Sequence, residues 1–93
     1  MAPVTITFHT VLRNGLGIEH VNLDAATVGE ALQQIDKQFG ERIRTIYRLG
    51  TDVKLYEFCM LLLDGIALDF EKIDHITLKP GDELHVLPPA GGG

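Results

Sequence analysis

The sequence predicts a single domain of the α+β class. Along the chain, paired strands come before and after one main helix. Residues 4–12 alternate apolar and polar side chains, which is typical of a strand with one buried face. Thr27 and Glu30 have the spacing of a helix capping box. An apolar run at residues 58–63 leads into Asp64-Gly65, a strong hairpin signal. The predicted order is two strands, a helix, two strands and a last strand.

The first two strands are predicted to form a β-hairpin. Val4, Ile6 and Phe8 share one face of the first strand, because alternate side chains of a strand point the same way. We place the turn at residues 13–17, since the Asn-Gly pair in that stretch tolerates positive φ. The chain then returns through residues 18–23.

The main helix is predicted to begin at Thr27. The Thr27 hydroxyl can accept a hydrogen bond from the Glu30 amide, and the Glu30 carboxylate can reach back to the Thr27 amide. Apolar residues then recur at steps of four, three and four and form one stripe: Val28, Leu32, Ile35 and Phe39. Gly40 supplies the predicted C-terminal stop. This helix packs one face against a sheet.

Residues 41–49 also follow a helical pattern, so the sequence predicts a second, short helix. Arg44 and Arg48 lie four residues apart on its outer side. They could meet acidic groups of a partner, but exposed arginines are more often solvated. Residues 53–56 are predicted to form a loop or a short edge strand.

The second half of the chain is predicted to supply the rest of the sheet. The apolar run at residues 58–63 indicates either a central strand covered on both faces or a strand buried beneath the helix. The hairpin turn returns the chain through residues 66–68. A crossover follows, with a helical turn around residues 70–73.

A type II turn is predicted at residues 79–82, because proline and glycine occupy its second and third positions. Residues 83–87 then alternate as a last strand. Leu84 and Val86 point inward, whereas Leu87 remains on the outer side. An exposed leucine next to the C-terminal segment is a candidate docking contact, although single exposed leucines are common.

Composition excludes several classes of function. The chain has 93 residues, a formal net charge of −5 and one cysteine. The charge argues against nucleic-acid binding, which needs a concentrated basic surface. The longest apolar run is too short to cross a membrane, and the N-terminus lacks the pattern of a signal peptide. One cysteine cannot form an internal disulfide, so we expect a reducing, cytoplasmic location.

The sequence holds no self-contained active site. The four histidines, His9, His20, His75 and His85, are scattered without the spacing of zinc ligands, so no metal site is predicted. Cys59 lies within the apolar run and is interpreted as a small buried hydrophobic residue. No phosphate-binding loop motif is present.

The C-terminal segment is the strongest functional signal. Residues 1–87 are predicted to form the domain and residues 88–93 a flexible tail. Pro88 and Pro89 form a stiff, extended stalk. The three glycines that follow have no side chains to bury, so they are suited to carrying the terminal carboxylate through a narrow channel into an enzyme. A frayed or incidental end is the alternative.

The end of the chain also resembles a known family. The combination of residues 81–84 (Gly-Asp-Glu-Leu), Pro88-Pro89 and Gly92-Gly93 is similar to the end of the MoaD/ThiS group of ubiquitin-like sulfur carriers and their archaeal modifier relatives. Residues 8–13, 27–29 and 63–65 resemble the same family at the same places in the order. The resemblance implies a β-grasp fold. In this fold a mixed four- to five-stranded sheet wraps around one main helix, and the first and last long strands are adjacent and parallel.

The resemblance also implies a mechanism in which the chain is a cosubstrate rather than a catalyst by itself. A ubiquitin-activating-type enzyme uses Mg-ATP to adenylate the Gly93 carboxylate, and a sulfur donor converts the adenylate into a thiocarboxylate. The chain itself would bind no cofactor. Gly91 and Gly92 would lie in the channel of the activating enzyme. Leu87, Pro88 and Pro89 would form the docking platform for partners.

Three functions are compatible with these observations. The first is a sulfur carrier that serves as the small subunit of molybdopterin synthase, with the large subunit or another acceptor receiving the sulfur. The second is a ubiquitin-like modifier joined through Gly93 to lysines of target proteins. The third is a β-grasp interaction domain whose glycines are incidental. Gly91 and Leu87 stand where relatives often have larger or aromatic residues, which leaves the branch of the family open.

Overall fold

The computed structural model describes residues 2–88, apart from the side chains of Tyr56 and Phe58. Its elements are β1 (Ala2–Phe8), α1 (Thr10–Leu16), β2 (His20–Ala25), α2 (residues 28–46), α3 (Leu55–Phe58), β3 (Met60–Leu63), β4 (Ile66–Ala67), a 3-10 helix (Phe70–His75) and β5 (Glu83–Leu87). The predicted division between a domain of residues 1–87 and a tail of residues 88–93 stays a prediction, because residues 89–93 lie outside this description.

The strands form one mixed sheet in the order β2-β1-β5-β3-β4. Strand β1 pairs in parallel with β5, so that Ile6 lies beside Leu84 and Phe8 beside Val86. The other pairs are antiparallel. The α+β class and the parallel pairing of the first and last long strands are therefore confirmed.

One face of the sheet and the helix α2 enclose the core. Four inward side chains of β1 and β5 are completely buried: Ile6, Phe8, Leu84 and Val86. The Phe8 ring meets the Phe39 ring of α2 edge to face, with the ring centroids 5.8 Å apart. The alternation of the sequence thus places the helix on one side of the sheet and leaves the other side uncovered by it.

The start of α2 is fixed by the predicted capping box. The Glu30 amide donates to the Thr27 hydroxyl over 3.2 Å, and the Glu30 carboxylate accepts from the amides of Thr27 (3.2 Å) and Ala26 (2.8 Å). These bonds satisfy donors that the first helical turn would leave unpaired. The capping prediction is confirmed.

The predicted helix stop at Gly40 is wrong, and the short helix predicted at residues 41–49 is confirmed only over residues 41–46, as a continuation of the main helix. An α-helical segment (Val28–Ile35), a π-helical turn (Asp36–Gly40) and a second α-helical segment (Glu41–Ile46) form one continuous helix. Arg44 bonds Asp36 over 2.6 Å across Gly40, where a Cβ atom would collide with the Asp36 carboxylate. Glycine therefore permits a close ion pair here rather than ending the helix. Arg44 is only 16% exposed, so its predicted solvation is also wrong.

The predicted turn at residues 13–17 is replaced by the helix α1. The first strand ends at Phe8 instead of Leu12, and the buried side chains of Leu12 and Leu16 hold the connection in a helical turn. A Cβ atom at Gly15 would lie 2.5 Å from the Ile46 side chain, so this glycine allows α1 to pack closely against α2. Strands β1 and β2 still pair antiparallel, as the hairpin prediction required.

The loop predicted at residues 53–56 is present only at residues 53 and 54, and no edge strand forms in this segment. The chain forms the short helix α3 from Leu55, which is 2% exposed and anchors it. Strand β3 consequently begins at Met60 rather than at residue 58. It lies inside the sheet between β5 and β4 but is covered on one face only, since Leu61 is buried while Met60 is 38% exposed.

The remaining turn predictions are confirmed. Asp64 and Gly65 adopt φ values of 54° and 78° between β3 and β4, as a two-residue hairpin turn requires. Gly81 has a φ of 88°, and the Asp82 amide donates to the Lys79 carbonyl over 3.0 Å, which agrees with the predicted type II turn. The helical turn predicted around residues 70–73 is the start of the 3-10 helix. Within residues 2–88, no helix is both long and apolar enough to cross a membrane.

Candidate functional site

The strand that precedes the C-terminal segment is a central strand of the sheet. Strand β5 is the third of five strands and is bonded to β1 on one side and β3 on the other. Its last residue, Leu87, is half-buried opposite Met60, and Pro88 follows. Pro89, Gly91, Gly92 and Gly93 lie outside the described residues, so their predicted roles stay predictions. The residues just before the C-terminal segment are therefore held in place by hydrogen bonds to β1 and β3.

An apolar strip covers the outer face of the sheet beside the end of β5. The register of β3 places Met60 opposite Leu87, and Leu62 between His85 and Ala67. Because side chains alternate along a strand, these residues all point away from α2. We call Met60, Leu62, Ala67 and Leu87 the apolar strip. The outward position predicted for Leu87 is confirmed, while its role in docking stays a prediction.

A hydrogen-bonded cluster covers the other half of the outer face. We call it the histidine network, and it consists of Thr7, His9, His20, Glu83 and His85. The Thr7 hydroxyl donates to Glu83 Oε2 over 2.6 Å, and its oxygen lies 3.0 Å from His20 Nδ1. His85 Nε2 lies 3.1 Å from Glu83 Oε1, and His85 Nδ1 lies 2.8 Å from His9 Nε2. Four contacts thus link three strands.

The strand register explains why these residues meet. Thr7 of β1 lies opposite His20 of β2 on one side and His85 of β5 on the other. Thr7 is only 4% exposed, although its side chain is polar, because the network covers it. A buried hydroxyl needs hydrogen-bond partners, and Glu83 and His20 provide them.

Charged residues at the start of β2 extend the network. The Glu19 carboxylate lies 3.8 Å from His20 Nε2 and 3.8 Å from the Arg13 guanidinium of α1. The side chains of Glu19 and Glu83 are 54% and 45% exposed, so both carboxylates are accessible to a partner. The network is therefore an accessible polar surface rather than a sealed interior cluster.

The network also changes the acidity of Glu83. The Thr7 hydrogen bond is the largest cause that lowers the pKa of this carboxyl group, and the nearby His85 and His20 lower it further, while partial burial opposes them. A lowered pKa means that the carboxylate form is favoured in the folded protein. Glu83 consequently acts as a hydrogen-bond acceptor at neutral pH.

The interpretation of the four histidines as scattered is wrong for three of them. His9, His20 and His85 come together because β1, β2 and β5 are adjacent, whereas His75 lies on the 3-10 helix. The sequence did carry a signal, since Thr7 and His9 alternate on the outer face of the first strand and Glu83 and His85 on that of the last. Only the parallel pairing of these strands turns that pattern into a cluster.

Cys59, possible metal ligands and the main cleft are weaker candidates for a functional site. Burial raises the pKa of the Cys59 thiol to about 12, and this residue packs against the core, so it is a poor nucleophile at neutral pH. Within residues 2–88, no group of three or more His, Cys, Asp or Glu side chains is arranged to hold a metal ion. A cleft of about 420 Å³ is lined by α2, by the region of Lys54 and Leu55, and by the 3-10 helix, away from the end of β5.

Comparisons with known proteins agree with the fold. The chain matches the model of the ThiS family over residues 6–93. A comparison with curated proteins found no match.

Three solved structures are similar over nearly the whole chain. Small archaeal modifier protein 1 (SAMP1) from Methanosarcina acetivorans is 24% identical, with a TM-score of 0.76 over 100% of this chain and 98% of that one. A putative molybdopterin converting factor, subunit 1, from Pyrococcus furiosus is 17% identical, with a TM-score of 0.67 over 97% of this chain and 100% of that one. A chain of the Amycolatopsis orientalis BexX/CysO complex is 30% identical, with a TM-score of 0.62 over 97% and 99%.

The family match covers most of the sequence, and the mixed sheet, its parallel central pair and the single main helix are those of the β-grasp fold. The chain belongs to the ThiS family, the β-grasp sulfur carriers of the MoaD/ThiS group.

Proposed function

We propose that the protein is a sulfur carrier whose C-terminal carboxylate, on Gly93, is activated and converted into a thiocarboxylate. The observation that carries this proposal is the extent of the family match, which runs through the glycine tail to residue 93. The position of β5 supports it, because a strand bonded on both sides holds the base of the tail in a fixed place.

The chemistry requires activation because a carboxylate is a poor acyl donor. An oxygen of the Gly93 carboxylate attacks the α-phosphorus of Mg-ATP, pyrophosphate leaves, and an acyl-adenylate forms. A hydrosulfide ion released by a sulfur donor then attacks the acyl carbon, the bond between that carbon and the AMP oxygen breaks, and AMP leaves. The product is a thiocarboxylate. A ubiquitin-activating-type adenylating enzyme would supply the ATP site and would hold Gly91 and Gly92 in its channel.

The chain's own contribution is to dock and to present the tail. The apolar strip, which includes Leu87, lies beside the point where β5 runs into Pro88. Burial of exposed apolar surface favours association, so this strip suits a partner that also takes up the tail. Pro88 and Pro89 would keep the tail extended between the docked domain and the active site of the partner.

The proposed pathway is molybdopterin synthesis, with this chain as the small subunit of the synthase and the large subunit as the site of sulfur transfer. The resemblance to MoaD-type proteins supports this assignment. The similar Pyrococcus furiosus structure, named as a putative molybdopterin converting factor subunit, is compatible with it in fold.

The test is the intact mass of the chain after incubation with Mg-ATP, a sulfur donor and the adenylating enzyme of the same organism. We expect one oxygen to be replaced by one sulfur, with the change mapped to the C-terminal peptide. Omission of ATP is the control. An unchanged mass in the complete reaction, with an enzyme that is active on its own known substrate, would contradict the proposal.

Conjugation to proteins is the second candidate function. It is favoured by the similarity to SAMP1 from Methanosarcina acetivorans, which is named as a small archaeal modifier protein. In this case a lysine amine attacks the adenylated Gly93, AMP leaves, and an isopeptide bond forms. Peptide mapping of proteins from the native cells distinguishes the two functions, since only a modifier leaves its C-terminal residues attached to lysines of other proteins.

A further inference from the structure

We propose that the histidine network is a proton-linked docking surface that binds arginine or lysine side chains of the adenylating enzyme while its histidines are neutral. This inference rests on the proposed function, because it takes that enzyme as the partner. It adds a chemical class of contact and a pH dependence that the activation of Gly93 does not require.

The hydrogen bonds of the network fix which ring nitrogens carry protons. A threonine hydroxyl has one hydrogen, and Thr7 gives it to Glu83, which as a carboxylate can only accept. The Thr7 oxygen must therefore accept, so His20 carries its proton on Nδ1. His85 donates from Nε2 to Glu83, which leaves a lone pair on Nδ1. His9 must then donate from Nε2 to His85 Nδ1.

With the protons placed in this way, the groups that remain open to a partner are hydrogen-bond acceptors. When neutral, His9 keeps a lone pair on Nδ1 and His20 keeps one on Nε2. The carboxylates of Glu19 and Glu83 add negative charge, and both side chains are about half exposed. Arg13 is a single cation beside them, so the surface is negative at neutral pH. Guanidinium and ammonium groups, which only donate, complement such a surface.

Four regions of the chain supply the charged and titratable groups around the network. Strand β1 and the residue after it contribute Thr7 and His9, β5 contributes Glu83 and His85, and α1 contributes Arg13. The start of β2 contributes Glu19 and His20. Strand β3 presents only the apolar side chains of Met60 and Leu62 on this face. Histidine is the residue type that can gain a proton near neutral pH, so His9, His20 and His85 are the groups through which pH can act on this surface.

Protonation would oppose the binding of a cation in two ways. Each added proton removes a lone pair and adds positive charge to the surface. If His9 and His85 are both protonated, two N–H groups face each other across the 2.8 Å contact, and that hydrogen bond is lost. A bound arginine or lysine therefore lowers the affinity of the histidines for protons, and binding weakens as the pH falls.

The position of the network identifies the partner. Glu83 and His85 belong to the strand that continues into Leu87 and Pro88, and His85 lies across from Leu62 of the apolar strip. A protein that takes up the tail and covers the apolar strip must also approach the network. The cationic groups are thus expected on the enzyme that receives the tail.

The first test is the affinity of the full chain for the purified adenylating enzyme, measured by calorimetry without ATP at two pH values. The affinity should fall about tenfold between about pH 7.5 and about pH 5.5 for each proton that binding must displace, because histidine as a residue type usually changes charge in this interval. The double variant His9→Gln, His85→Gln cannot take up these protons and should show a smaller fall. His75→Gln, on the exposed 3-10 helix, is the matched control and should behave like the wild type.

The outcomes of this test are distinct. An affinity that is unchanged or higher at the lower pH overturns the inference, as does a double variant with the full wild-type pH dependence. Adenylation of Gly93 at about pH 7.5 is measured in parallel. If adenylation fails while pH-dependent binding persists, the proposed function is contradicted and the docking surface is not.

A second test uses the isolated chain and needs no partner. Nitrogen NMR of the imidazole rings at neutral pH should show the proton of His20 on Nδ1 and those of His9 and His85 on Nε2. Thr7→Val, which removes the hydroxyl and keeps the shape, should release the His20 preference for Nδ1. If wild-type His20 carries its proton mainly on Nε2, the acceptor surface does not exist as described and the inference is wrong.

Discussion

Two leucines of the last strand show how differently the two faces of the sheet are used. Leu84 and Leu87 are three residues apart on β5, so they point to opposite faces. Leu84 is completely buried under α2, whereas Leu87 is half-buried in the apolar strip at the start of the tail. The inner face holds the fold together. The outer face combines apolar and hydrogen-bonding groups that remain accessible.

The largest expected effect comes from truncating these two leucines. Leu84→Ala should lower the free energy of unfolding by about 2–5 kcal/mol, because it leaves a cavity in the core. Leu87→Ala should cost less than about 1 kcal/mol, since its side chain keeps contact with solvent in the folded protein. Denaturant unfolding of both variants measures the difference.

The rate of adenylation should be affected in the reverse order, with the larger loss for the Leu87→Ala variant. Leu87→Ala should reduce the rate of adenylation at a low concentration of the chain, while folded Leu84→Ala should retain it. Equal losses of stability for the two variants would contradict the separation between the faces.

A smaller loss of stability is expected when the capping box of the helix that covers the inner face is removed. Thr27→Ala removes one side of the capping box and should lower the free energy of unfolding by about 1 kcal/mol. Thr45→Ala is the matched control in the same helix, because the Thr45 hydroxyl bonds the Glu41 carbonyl at an exposed position. Thermal unfolding should show a clear loss for Thr27→Ala and little change for Thr45→Ala.

On the outer face, Glu83 should give the network a small pH-dependent contribution to stability. Its pKa is lowered in the folded protein, chiefly by the Thr7 hydrogen bond, so its contribution is present above the unfolded pKa and is lost as pH falls through the folded value. Wild type should exceed Glu83→Gln in stability at neutral pH, and this difference should shrink in acid. Glu71→Gln, which removes an exposed carboxylate from the 3-10 helix, is the matched control.

The smallest change in stability is expected at the tail. Gly93→Ala should leave thermal stability nearly unchanged, because a terminal glycine buries no side chain. The same variant should impair adenylation, since the added methyl group must fit the channel of the activating enzyme. A large loss of stability would show that the tail has a structural role and would count against a purely functional one.

Much of the fold was predictable because several signals are local. A capping box, a two-residue hairpin turn and a Pro-Gly turn each depend on neighbours within four residues, and all three occur where predicted. Gly15 was misinterpreted because it makes room for Ile46, a side chain distant in sequence, which a local pattern cannot show. Gly40 was misinterpreted because glycine is a common helix stop, whereas here it leaves space for the ion pair between Asp36 and Arg44 in a helix that continues.

The candidate site likewise has one part that the sequence predicted and one part that it did not. The tail, its prolines and Leu87 were identifiable from sequence, because their chemistry depends on residue type and on adjacency along the chain. The histidine network was missed, because His9 and His85 are 76 residues apart and meet only through the register of β1 and β5.

The sequence by itself determined the class of the fold, the start of the main helix and the glycine-rich tail, since alternation, capping and turn residues act over a few bonds. The tertiary structure decided which strands are neighbours. Parallel pairing of the first and last strands places both beneath α2, where their inward side chains are buried. The same pairing brings Thr7, Glu83 and three histidines together on the opposite face.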